Sequence, residues 1–179
     1  TVGLVELDRP KALNAISYDM AVAISTQMQA WSHDDRITHV VIAGSTPRAF
    51  CAGGDVRDLY QYIQRGDYDR TRVYFRAEYN ADVDVYTCSK PVISLADGIV
   101  MGGGAGLMQC SRYRVASETT RFAMPESAIG LFPDAGASIF LGRIPRPFAM
   151  FIGLTGQIIG ASDLMLLGLA DAVVPSAHM

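Results

Sequence analysis

Two glycine-rich stretches, each set between an apolar run and a helical pattern, constrain this chain more than any other feature. The first is Ala49-Phe50-Cys51-Ala52-Gly53-Gly54-Asp55, and the second runs from Gly98 through Met101-Gly102-Gly103-Gly104 to Gly106. Consecutive glycines are poor in a helix interior, but at a helix start they expose backbone amides and let another group approach closely. The partial positive charge of such amides suits an anion or a polarised oxygen. Taken singly, the first stretch also reads as an ordinary glycine turn, and the second as tight strand–helix packing. The second is not a dinucleotide fingerprint, because no glycine stands three places after Gly104. Nor is it a P-loop, because no Lys-Ser/Thr pair follows.

The rest of the pattern alternates strand and helix. Val2 to Leu7 reads as a short strand ended by Arg9-Pro10. Ser17 is an N-cap for a helix over 18–32, with Met20, Ile24, Met28 and Trp31 at helical spacing. His39 to Ala43 is a buried strand, and a helix runs from Asp55 to about Gln64. A long helix over 69–88 carries Val73, Tyr74, Ala77, Ala81 and Val85 on one face. Pro91 to Ala96 is a strand, and Gly102–Gly104 opens a helix to Cys110. Short strands are predicted at 113–117, 120–123 and 172–174, and helices near 135–142, 146–154 and 162–168. The class is α/β with crossover connections.

Composition excludes several functions. The 179 residues suit one domain with a sizeable core. Net charge is −3 with no basic run, which argues against a nucleic-acid partner. The three cysteines, Cys51, Cys88 and Cys110, are widely spaced and read as buried free thiols. His33, His39 and His178 have no ligand spacing, so no metal is expected. No window reaches the ~18 apolar residues of a membrane span. Residue 1 already lies in a strand pattern, and Met179 follows a strand without a natural stop. The expectation is a single domain over 1–179, incomplete at its N-terminus and lacking C-terminal helices.

Residues 124–134, Met-Pro-Glu-Ser-Ala-Ile-Gly-Leu-Phe-Pro-Asp, place two acids in a run that is otherwise apolar or small. A carboxylate in such surroundings loses hydration, and its pKa rises toward the range where it can attack or shuttle protons near neutral pH. Alone, the stretch also reads as a capping Glu126 and a turn Asp134. The two glycine turns change that balance. One N–H from each, at Gly54 and Gly103, would form an oxyanion hole for a carbonyl gaining negative charge. No Gly-x-Ser-x-Gly elbow is present and no His stands near a candidate Ser or Cys. Carboxylate chemistry on a polarised acyl group is what remains.

In order along the chain, Arg9-Pro10-Lys11-Ala12-Leu13-Asn14-Ala15, the Ala49–Asp55 run, Met101–Gly104 and Pro125–Gly130 resemble the four signatures of the crotonase superfamily, also called enoyl-CoA hydratase/isomerase. The resemblance covers essentially the whole chain. It implies a crotonase-like spiral of ββα units and an acyl-CoA ligand held by a Gly54/Gly103 oxyanion hole. Lys11, Ala12 and the backbone of Ala49 to Ala52 would hold the adenine and pantetheine. Coenzyme A would be part of the substrate, with no separate cofactor. A homo-oligomer, a trimer or a dimer of trimers, is implied, in the bacterial cytoplasm or, for a eukaryotic source, the mitochondrial matrix.

Hydratases of this superfamily usually carry two glutamates, one matching Glu126 and one at the place filled here by Gly106. Phe132-Pro133-Asp134 and Phe75-Arg76-Ala77-Glu78-Tyr79-Asn80 instead resemble the branch that hydrolyses 3-hydroxyisobutyryl-CoA in valine breakdown. Its matching positions are Glu78, Gly103, Glu126 and Asp134. The resemblance implies Glu126 as nucleophile or general base, and Asp134 placing the substrate hydroxyl or the water. Glu78 would contact the acyl part. Rival expectations are single-acid hydratase or isomerase activity, and a non-catalytic scaffold subunit of the same fold.

Overall fold

The computed structural model describes residues 1–179. Strands β1 (Val2–Leu7), β2 (His39–Gly44), β4 (Val92–Ala96), β6 (Tyr113–Ala116) and β9 (Ala172–Val173) form one parallel sheet in the order β1-β2-β4-β6-β9. A second sheet, in the order β3-β5-β7-β8, holds β3 (Ala49–Cys51), β5 (Ile99–Met101), β7 (Arg121–Ala123) and β8 (Ile159–Gly160). Its first three strands are parallel, and β8 returns antiparallel. Each turn of the chain thus adds one strand to each sheet, then crosses back through helix. The pairs β2-β3, β4-β5 and β6-β7 are successive turns of a spiral.

Side-chain burial explains the longer elements. In β2, Val40 and Ile42 are fully buried, and in β4 so are Val92 and Ala96. Helix α1 (Tyr18–Ser32) starts where the Ser17 hydroxyl accepts from the Met20 N–H at 3.2 Å. Its Ala21, Ile24 and Met28 are buried, and the helix lies against α3 (Tyr68–Thr87), where the Ser25 hydroxyl donates to Asp84. Helices α2 (Val56–Gln64), α4 (Gly103–Cys110), α6 (Arg146–Thr155) and α7 (Ala161–Leu166) match the periodic pattern within a residue or two.

Several expectations need correction. Strands β3, β5 and β8 are elements that periodicity did not reveal. The helix expected over 135–142 is only one turn, α5 (Ala137–Phe140), followed by a 3₁₀ turn, because left-handed Gly136 delays its start. Val73 is 51% exposed and off the buried face of α3, whereas Glu78 and Asp82 lie on it. Cys51 is buried, but Cys88 and Cys110 are only partly so. No helix is long and apolar enough to cross a membrane.

Candidate active site

The three chemical stretches meet because their strands are neighbours. Gly54 follows β3, Gly103 follows β5 and Glu126 follows β7, all at the C-terminal ends of adjacent parallel strands. Ligands gather outside those ends in open α/β sheets. A hydrogen bond from the Gly102 N–H to the Ala123 carbonyl, 3.1 Å, ties the start of α4 to the end of β7. Gly102 has φ 53° and ψ −127°, a conformation that only glycine adopts readily.

The first two turns sit side by side. A methyl placed on Gly103 would lie 3.4 Å from the Gly54 nitrogen, and one placed on Gly53 would lie 3.6 Å from the Gly103 nitrogen. The Gly54 N–H has no acceptor within the chain, and Gly103, as first residue of α4, has none one turn back. The Gly54 turn is pinned from below by a residue that sequence reasoning placed only in the core. Tyr74, buried on α3, accepts from the Asp55 N–H at 2.8 Å and donates to the Ile16 carbonyl at 2.6 Å.

Acids converge on these amides. A methyl on Gly102 would lie 2.9 Å from Glu126 Oε1, and a methyl on Gly103 would overlap Glu78 Oε1. Glu126 is 6% exposed and Glu78 5%, and none of the chain's ion pairs involves either. Glu78 is therefore a buried acid without a cationic partner. Glu126 Oε2 is buried with no hydrogen-bond partner. Burial pushes Glu126 up to about 7, with the Asp134 charge adding to it against a main-chain hydrogen bond that lowers it. Burial, then the charges of Asp134 and Glu126, push Glu78 up to about 8. Near neutral pH, Glu126 can lose its proton while Glu78 keeps one, a division of labour set by environment.

Asp134 approaches from the loop before α5 and accepts from the Tyr79 hydroxyl at 2.6 Å. The same loop explains Gly106. A Cβ on residue 106 would stand 2.5 Å from both the Cβ and the carbonyl oxygen of Ala135, whose own φ is 42°. The segment that delivers Asp134 fills the space a glutamate at 106 would need.

The outer motif also closes on the site. Asn14 receives the Arg9 N–H at 2.9 Å and donates to the Ala49 carbonyl at 2.8 Å, while the Ala52 N–H reaches the Leu13 carbonyl at 3.0 Å. Arg9 pairs with Asp55 at 2.8 Å. Lys11 is exposed and Ala12 half-buried on the 3₁₀ turn Pro10–Ala12, beside Ala49 and Ala52. Gly54, Gly103, Glu78 and Glu126 are thus brought together, Asp134 is near enough for its charge to raise Glu78 and Glu126, and Lys11 and Ala12 precede the Leu13 and Asn14 that bond to Ala52 and Ala49.

A sequence profile for Enoyl-CoA hydratase/isomerase matches residues 2–179. The chain belongs to the enoyl-CoA hydratase/isomerase family. It is 45% identical over 177 residues to a mitochondrial 3-hydroxyisobutyryl-CoA hydrolase of Gallus gallus, covering 99% of this chain and 46% of that one. With 3-hydroxyisobutyryl-CoA hydrolase 1 of Arabidopsis thaliana it shares 42% over 179 residues, 100% of this chain and 47% of the other. A solved enoyl-CoA hydratase from Rhodobacter sphaeroides superposes with a TM-score of 0.95 at 40% identity, covering 98% of this chain and 52% of that one. The chain spans about half the length of these relatives. The crotonase-type α/β fold of the family is the one described above.

Sequence reasoning missed Tyr74, Tyr79 and Asp82 as members of this cleft. The signal for Asp82 was its place four residues after Glu78, on the same helix face.

Proposed function

We propose that this chain carries the catalytic part of an acyl-CoA thioester hydrolase, with 3-hydroxyisobutyryl-CoA as its substrate. The observation that carries the reading is the pairing of two adjacent glycine turns, at Gly54 and Gly103, with the buried, partnerless Glu126 oxygen. The Gly54 and Gly103 N–H groups hold the thioester oxygen as negative charge builds on it. Glu126 acts on the thioester carbon, either by attacking it or by taking a proton from an attacking water. In the first case the C–S bond breaks, CoA leaves as the thiolate and gains a proton, and water hydrolyses the resulting mixed anhydride. Asp134, held by Tyr79, positions the water or the substrate hydroxyl. Glu78, protonated, contacts the acyl group.

Lys11, Ala12, Ala49 and Ala52 line the route for adenine and pantetheine, and CoA is consumed as part of the substrate with no separate cofactor. The names of the relatives support the substrate, and Gly106 supports hydrolysis over hydration, since the second glutamate of hydratases has no room there. The assembly is the trimer or dimer of trimers that the family resemblance implies, and exposed Phe148, Phe151 and Leu154 on α6 offer an apolar face for association. The compartment is the mitochondrial matrix for a eukaryotic source and the cytoplasm for a bacterial one; the first is supported by the Gallus gallus relative being named mitochondrial.

Enoyl-CoA hydration is the second reading, favoured by the name of the superposed Rhodobacter sphaeroides structure. A thiol-release assay with 3-hydroxyisobutyryl-CoA, run beside an absorbance assay with crotonyl-CoA, separates them. Free CoA from the first with no loss of enoyl absorbance in the second is the expected result. The reverse pattern means hydratase, and inertness toward both means a scaffold.

A further inference from the structure

Beyond Asp134 a cavity of about 490 Å³ opens between α3 and the 132–143 segment. Its walls are mostly apolar, including Val83, Phe132, Ile139 and Phe140, but Asp82 stands among them. Asp82 is 5% exposed, and its Oδ2 is buried without any hydrogen-bond partner. Tyr86, Ser138 and Arg143 also line the cavity, but only Asp82 there keeps a buried side-chain oxygen without a partner. Gln109 donates to the Leu169 carbonyl and accepts from Arg114, and the Tyr79 hydroxyl is held by Asp134. A partnerless buried oxygen is costly to a fold, and where it persists it invites a role.

We propose that Asp82 is the specificity-determining residue for the acyl group, hydrogen-bonding a hydroxyl on the third carbon of the bound thioester. The proposal takes from the hydrolase reading only that the thioester carbonyl sits at the Gly54 and Gly103 turns. Glu78, which lies against those turns, is one helical turn before Asp82, so the two are separated by a rise of ~6 Å along α3. A hydroxyl three bonds of about 1.5 Å from the carbonyl carbon, plus a hydrogen bond of ~2.8 Å, spans a similar length. Burial, with the charges of Glu78 and Asp134, holds the Asp82 carboxyl well above the usual carboxylate range. A buried carboxyl in a mostly apolar cavity hydrogen-bonds a hydroxyl whether it accepts or donates, and the acids Glu78 and Asp134 beside it disfavour a carboxylate on the substrate. With the hydroxyl at Asp82, Asp134 is left to position the water.

The test measures binding of two non-hydrolysable CoA thioethers, 3-hydroxy-2-methylpropyl-CoA and 2-methylpropyl-CoA, by calorimetry to the full chain and to Asp82→Ala and Asp82→Asn. The parent should prefer the hydroxylated probe by at least ~10-fold, since a site built around a hydroxyl rejects its absence. In Asp82→Ala that ratio should fall to within about threefold of unity, with the deoxy probe bound as before, while Asp82→Asn keeps most of it. No preference in the parent, no binding of either probe, an unchanged ratio in Asp82→Ala, or equal weakening of both probes would each overturn the proposal. The last would mark Asp82 as purely structural. Because neither probe turns over, the ratio is read independently of catalysis. An intact ratio without CoA release from the true thioester would sink the hydrolase reading and leave this one standing.

Discussion

Replacing Glu78 with glutamine should make the protein more stable at alkaline pH and flatten its stability profile. The Glu78 carboxyl rises from 4.5 to about 8 because it is buried beside two other acids with no cation in reach. At about 1.4 kcal/mol per pH unit, ionising it in the folded chain costs on the order of 5 kcal/mol more than in the unfolded chain. The sign follows from linkage: a raised pKa means that the folded state binds the extra proton. The stability tied to that proton is fully present below about pH 4.5, is eroded as pH rises, and is gone above about 8. Glutamine keeps the shape and cannot ionise. Urea unfolding of the parent and Glu78→Gln at pH 5, 6, 7 and 8 should show their stability difference growing by ~1.4 kcal/mol per unit in favour of the variant. Parallel curves would mean that Glu78 is not held unpaired against the Gly54 and Gly103 turns, and the electrostatic picture of the cleft would fail.

The same titrations shape activity. The rate constant kcat/KM for CoA release should climb through about pH 7 as Glu126 ionises and fall above about pH 8 as Glu78 does, with the alkaline limb absent in Glu78→Gln. A profile rising near pH 4.5 would contradict the burial of Glu126. Gly106→Glu should not create crotonyl-CoA hydration, because the side chain meets the Cβ and carbonyl of Ala135; it should lower stability by about 1–3 kcal/mol through overpacking, read from its denaturation midpoint. A gain of hydratase activity without that loss would show the loop to be more yielding than its packing indicates.

Which parts of this site were legible in the sequence follows from the physics of each. Gly54 and Gly103 were visible because consecutive glycines at a strand–helix junction are unfavourable unless amides must be exposed, and Glu126 because an acid among apolar residues is equally out of place. Their meeting was less so, since it depends on β3, β5 and β7 being adjacent. These strands have three residues each, too few for period-two alternation, and β3 and β5 are embedded in the glycine motifs themselves. Asp82 and Tyr79 were hidden for another reason. Helix α3 carries acids on several faces, Asp69, Glu78, Asp82 and Asp84 among them, and spacing alone does not say which are buried. Glu78 was singled out only through the family resemblance. The Ala135 contact with Gly106 joins residues far apart in the chain and has no local signature.

The most direct test of the whole account is CoA release from 3-hydroxyisobutyryl-CoA by the parent and by Glu126→Gln, with binding of a CoA thioether measured alongside. The glutamine variant should lose on the order of 10²–10⁴ in kcat while binding the thioether as the parent does. A Glu126→Gln protein that releases CoA at the parental rate would contradict the assignment of that carboxylate to the thioester carbon.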